Sequence, residues 1–189
     1  MCGTKKPFGM LATCPILILL VLFPVSNAQA QNQAVTTAGD ILQVALPALA
    51  VGSTFVAGGE DGSLWDREGT KEAALSIGTT LGITWAGKEV VRKTRPDGSD
   101  QQSFPSGHTS SAFSGAAFLG TRYGWQWGVP AYAAAAFVGY SRIQANQHFV
   151  DDVVAGASIA LLSNWAFVHP MSDRVVLLPV AMENGAGIQ

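Results

Sequence analysis

The sequence predicts an all-α protein, a bundle of five or six helices with a short β-like tail at its C-terminal end. Three observations carry that expectation. Charged residues make up 13% of the chain against a usual share of about 25%, and they punctuate uncharged stretches at 41–59, 73–87, 109–121, 123–141 and 153–172. None of these stretches alternates polar and apolar residues with the period of a half-buried strand. Their wealth of Ala, Leu and Gly and their lengths of 13 to 20 residues suit helices.

The first 30 residues stand apart from this bundle. Lys5 and Lys6 precede an apolar run at 15–25, and Ala28-Gln29-Ala30 follows it; basic, greasy and small-residue regions in that order make a secretory signal cleaved after Ala30. A retained first membrane helix is the alternative, but the run has 11 residues where a span needs about 20. Leu11-Ala12-Thr13-Cys14 hints at a lipoprotein box, yet the greasy run lies after its cysteine. Taking 30 residues from 189, and Lys5 and Lys6 from 11 basic groups, leaves 159 residues with nine bases against 13 acids, a net charge of −4. Cys2 and Cys14 leave with the signal, so no disulfide and no thiolate chemistry is expected.

The remainder divides into a bundle at 31–174 and a tail at 175–189, with no internal repeat and no second-domain linker. Gly59-Glu60-Asp61-Gly62-Ser63 and Pro96-Asp97-Gly98-Ser99-Asp100 are loops by turn chemistry. In the tail, residues 175–181 resemble a strand entering a turn at Glu183-Asn184-Gly185. Small residues on all the helices suit close packing in water or in lipid.

Three polar clusters punctuate the bundle. In the first, Lys88, Arg92 and Arg95 stand at i, i+4 and i+7 ahead of Pro96, three cations on one helical face with Glu89 as the nearby acid. An anion is the missing partner; a solvated face is the plainer alternative. The second is Pro105-Ser106-Gly107-His108, opening the helix of the 109–121 stretch. Its free N–H groups offer a phosphate site, unless Ser106 merely caps the helix. In the third, which opens with Ser141 and Arg142, His148 and Asp152 are four residues apart; on a helical turn the carboxylate can accept the ring N–H and leave the other nitrogen bare as a nucleophile. Asp151 and Asp152 could equally be first-turn acids.

Together the clusters spell KxxxxxxRP, PSGH and SRxxxxxHxxxD. With Lys88, Arg95, Pro96, Pro105, Ser106, Gly107, His108, Ser141, Arg142, His148 and Asp152 all in place, the sequence resembles the type-2 phosphatidic acid phosphatase family, whose site is shared with vanadium haloperoxidases. The charges suit the chemistry: Lys88, Arg95 and Arg142 can neutralise a phosphate monoester while Ser106 and the Gly107 N–H donate to its oxygens. The resemblance implies that His148 attacks phosphorus to give a phosphohistidine, that Asp152 holds its tautomer, and that His108 protonates the leaving alkoxide and then activates water. No metal or other cofactor is expected, since neither HExxH nor carboxylates at ligand spacing occur. His169, before Pro170, matches no motif and is expected at a helix end or in packing. Tyr123, Trp125 and Trp127 fit either an interfacial belt or the core.

If the uncharged stretches span a membrane, alternating passage puts all three clusters on the outer side. The expected substrate is then a phosphorylated lipid, processed at the periplasmic face of the inner membrane. The loop at 60–72, with five acids and two bases, runs against the positive-inside tendency. A soluble periplasmic phosphatase acting on small phosphate esters is the alternative, and a vanadate-dependent haloperoxidase a more distant one. A nucleic-acid partner is excluded by the low basic content, and the sequence sets no oligomeric state.

Overall fold

A computed structural model describes residues 28–59, 62–171, 180–182 and 185–187. The proposed signal therefore lies outside the described residues, save for residues 28–30, which open the first helix. Five helices follow: α1 (Ala28–Ser53), α2 (Arg67–Val91), α3 (Gly107–Tyr123), α4 (Trp125–Gln144) and α5 (Val150–Phe167). In the tail, β1 (Val180–Met182) pairs antiparallel with β2 (Gly185–Gly187). The strand expected at 175–181 is placed only over its last two residues, its first five lying outside the described residues.

α3 is the central helix, with α1 and α4 packed together on one side and α2 and α5 on the other. Its composition explains that position. Ala112, Ser114, Gly115, Ala116 and Ala117 are buried, and small side chains let neighbouring backbones approach closely. A Cβ on Gly115 would collide with the α1 backbone at Leu46 and Pro47. Phe118 is the largest wholly buried apolar side chain; it meets Tyr123 edge-on at 5.7 Å.

Helix bounds follow local chemistry. Pro47 lies inside α1; it has no N–H to offer the carbonyl four residues back, and the Ser111 hydroxyl of α3 donates to that Gln43 carbonyl instead, at 2.8 Å. Asp66 caps α2 by accepting from the Gly69 N–H at 2.8 Å. α1 corrects the stretch expected at 41–59: it starts well before it and ends at Ser53, with Asp40 inside the helix instead of marking its edge.

Among the described residues, charge is confined to the two ends of the bundle. Between Glu72 and Lys88 on α2, and between His108 and Arg122 on α3, no charged side chain occurs, a slab about 21 to 24 Å thick at 1.5 Å per residue. One end gathers the C-terminal ends of α2 and α4 and the N-terminal ends of α3 and α5. At the other, Arg122 is buried against Asp66 (Nη2 to Oδ1, 2.7 Å; Nε to Oδ2, 2.9 Å) and Glu72 (3.4 Å). His169 stands just past the end of α5, as expected of a helix-end residue, with Nδ1 2.8 Å from Glu72 Oε1 and its ring exposed.

Candidate functional site

The three sequence clusters converge at one end of the bundle, but the first is not built as a helical face. α2 ends at Val91 and Arg92 adopts a left-handed conformation (φ 46°, ψ 48°). This corrects the expected i, i+4, i+7 array: Lys88 stays in the last turn, where a cation suits the helix dipole, while Arg95 lies in the following loop. Pro96 disfavours helical geometry in the residue before it. The Arg92 Nε turns back to the Glu89 carbonyl (3.1 Å) and leaves the site.

The loop is tied down on both sides. Lys88 Nζ donates to the Gln102 carbonyl at 2.5 Å. Arg95 Nε pairs with Asp100 Oδ1 at 2.7 Å, and the Asp97 N–H reaches the Asn146 carbonyl at 3.1 Å, joining the first cluster to the third. Ser106 is fully buried as the N-cap of α3: its hydroxyl lies 3.0 Å from Thr109 Oγ1 and its own N–H donates to the Asp152 carbonyl at 3.0 Å. It therefore caps the helix, as the plainer reading had it, and its N–H is spoken for. The Lys88 side chain runs over the start of α3, its Cε 3.6 Å from where a Gly107 Cβ would stand.

His148 precedes α5 and Asp152 sits in its first turn, where Oδ2 accepts the Phe149 N–H at 2.9 Å. The imidazole Nδ1 is buried, 3.7 Å from Asp152 Oδ2 and without a hydrogen bond. Oδ2 is already occupied, since the Ser103 hydroxyl donates to it at 2.5 Å; catalytic hydrogen bonds are often long in an unliganded site. Burial pushes the His148 ring down to about 4, and the Lys88 and Arg95 charges act in the same sense against the Ser103 backbone and Asp152. The ring is neutral at pH 7, with a lone pair to offer.

Three partners of the site lie outside the sequence motifs. Lys93 spans to Asp151 Oδ2 (2.6 Å) and to the wholly buried Asp152 Oδ1 (2.8 Å), and stacks on the Phe149 ring at 4.4 Å. Burial works against the charge of Lys93, but the hydrogen bonds to the two aspartates outweigh it and raise its pKa. Ser103 holds Asp152 as described. Asp40 reaches from α1, with Oδ1 2.7 Å from Arg142 Nη1 and 3.2 Å from His108 Nε2. Arg142 itself is 1% exposed and also donates to Ser141 Oγ, Gln147 Oε1 and the Thr36 carbonyl. The signal for Asp40 was available: it is the only charged residue between 28 and 59.

A helical bundle that brings two histidines, a buried carboxylate, a lysine and two arginines to one end defines a class of histidine-centred proteins equipped to handle an anion. Within that class the sequence profile of the PAP2 superfamily matches residues 69–175, over half of the chain, and the chain belongs to that superfamily. Over 93 residues it is 40% identical to a lipid A 1-phosphatase of Porphyromonas gingivalis, a match that covers 47% of this chain and spans about a fifth (21%) of that protein. Over 170 residues it is 29% identical to a lipid A 4′-phosphatase of Helicobacter pylori, covering 83% of this chain and 80% of the relative. Among solved structures, Aquifex aeolicus LpxE superposes with a TM-score of 0.61 at 21% identity over 75% of this chain and 87% of its own, a likeness of fold. A transmembrane PAP2-type phosphatidylglycerolphosphate phosphatase from Bacillus subtilis gives 0.57 at 25% identity, over 75% and 77%.

Proposed function

We propose that the chain is a membrane-embedded phosphatase that removes a phosphate monoester from a lipid through a phosphohistidine, at the periplasmic face of the inner membrane. The observation that carries it is His148, buried, neutral at pH 7 and flanked by the cations that a phosphate needs. Its Nδ1 faces Asp152, so Nε2 is the nucleophile. As the P–N bond forms, the P–O bond to the lipid breaks and His108 gives its proton to the leaving oxygen. His108 then takes a proton from water, whose oxygen forms the new P–O bond as P–N breaks and inorganic phosphate leaves. Lys88, Arg95 and the remaining N–H of Arg142 neutralise the phosphoryl oxygens, and the Gly107 N–H at the start of α3 adds the positive end of a helix dipole.

Membrane residence has its own support. Large apolar side chains stand exposed on several helices, among them Leu75, Leu81 and Ile83 on α2, Val129 on α4, and Val154 and Leu162 on α5, an apolar surface of the kind that marks contact with a membrane or a partner. Exposed tryptophans lie at both levels, Trp85 near the site and Trp125 and Trp165 at the far end, as interfacial belts do; Tyr123, by contrast, turns inward towards Asp66. By length and composition alone, one helix among the described residues, Asn32–Ser53, is apolar enough to cross a membrane. The two curated relatives carry lipid A phosphatase names, so lipid A is the first substrate to test.

The experiment is phosphate release by the detergent-purified chain from lipid A, phosphatidate and a water-soluble ester, with and without EDTA. Lipid turnover that survives EDTA and falls at least about 10³-fold in His148→Ala is expected. Undiminished turnover by that variant overturns the phosphohistidine route, and preference for the soluble ester overturns the lipid substrate.

A further inference from the structure

We propose that Asp40 is a positioning residue for His108, turning the α3 histidine and the α1 carboxylate into a second Asp–His pair that mirrors His148 and Asp152 across the site. The proposal rests on the phosphatase reading above and assigns a role to a helix outside the matched family region of 69–175.

The geometry is specific. One carboxylate oxygen, Asp40 Oδ1, lies 3.2 Å from His108 Nε2 and 2.7 Å from Arg142 Nη1. A proton on Nε2 therefore points at Asp40, which leaves Nδ1 to face the reacting group. That tautomer serves both halves of the reaction. While His108 is an acid, the carboxylate stabilises the doubly protonated ring; once the proton has gone, Nε2–H stays anchored and the Nδ1 lone pair is free to take a proton from water.

α1 is held in register for this task. The Arg142 Nη2 donates to the Thr36 carbonyl one turn before Asp40, at 2.8 Å. Gly39 packs so closely on α4 that a Cβ there would run into Ser141 Oγ and come within 2.9 Å of Arg142 Nη2. Arg142 thus has four of its five donors engaged, two of them fixing α1 at Asp40 and Thr36, and one left over for phosphate. The charged groups acting on His108 are Asp40 from α1, Arg142 from α4 and Arg95 from the loop after α2. Of these Asp40 is the anion, and it stands against two cations that disfavour the protonated ring.

The test is the pH dependence of kcat/KM for lipid phosphate release by the full chain, its Asp40→Asn and Asp40→Glu variants, and His148→Ala as the inactive control. Activity requires protonated His108, so it falls on the alkaline side. Loss of the carboxylate charge moves that limb to lower pH by about one unit, a loss of about tenfold beyond the limb, and Glu restores part of the shift. Thermal unfolding in detergent shows whether each variant is folded. A folded Asp40→Asn protein whose alkaline limb stays where it was, with activity scaled evenly at every pH, overturns the Asp40 role and leaves the phosphatase reading standing. No phosphate release by the parent chain overturns both.

Discussion

Asp152 Oδ2 stands 3.7 Å from His148 Nδ1, both wholly buried, and is already engaged by the Ser103 hydroxyl and the Phe149 N–H. The carboxylate thus builds the first turn of α5 and faces the nucleophile at once. Asp152→Asn keeps the shape but removes the charge that steadies a ring becoming positive. A fall in kcat of about 10² to 10⁴ with little change in KM is expected, measured by steady-state phosphate release. A rise in KM alone would place Asp152 in substrate binding.

The depressed His148 ring sets the acid side of the pH profile. The nucleophile must be unprotonated, and with its pKa brought down to about 4 kcat/KM should hold as pH falls through 6 and drop only near pH 4. Because Lys88 is one cause of that depression, Lys88→Met should move the acid limb upward, towards the ordinary histidine range, besides weakening phosphate binding. Kinetics from pH 3.5 to 7 check both.

Lys93 neutralises a buried carboxylate. Lys93→Met leaves Asp152 with hydrogen bonds but no cation, at a cost of about 1 to 3 kcal/mol, less than for a fully buried pair because the Lys93 side chain is 29% exposed. Thermal unfolding in detergent reads the loss, and kcat falls with it because Asp152 loses its anchor.

At the far end, Arg122→Leu strands Asp66 and Glu72 among buried surroundings and should cost about 3 to 5 kcal/mol. Its pH profile should match that of the parent, since the change lies a helix length from His148. A shifted profile would mean that the two ends are coupled.

Much of the candidate site is legible because charged residues and histidines are scarce in this chain and those of the motifs fall in three short clusters. Lys88, Ser106, His108, Arg142, His148 and Asp152 stand out against long uncharged helices, and those helices were visible from the same silence. What spacing misses is how residues far apart in sequence pair. Asp40 looks like punctuation between apolar runs until α1 is laid against α4, and Lys93 looks like solvated charge until the loop folds back on α5. The cationic face is absent for a local reason: Pro96 constrains Arg95 and the chain has already left the helix at Arg92, so a spacing of seven residues does not carry across the break.

The charge-free slab is about 21 to 24 Å thick where the hydrocarbon of a bilayer measures about 30 Å. If the bundle sits in lipid as proposed, so thin a charge-free slab leaves a hydrophobic mismatch that local thinning of the bilayer would relieve. Thinning would draw the headgroup plane down around the end that holds His148 and His108, where a lipid would present its phosphate with its chains still in the leaflet. On that reading the thickness of the surrounding bilayer is a variable of catalysis: turnover in vesicles should rise as acyl chains shorten towards the thickness of the slab.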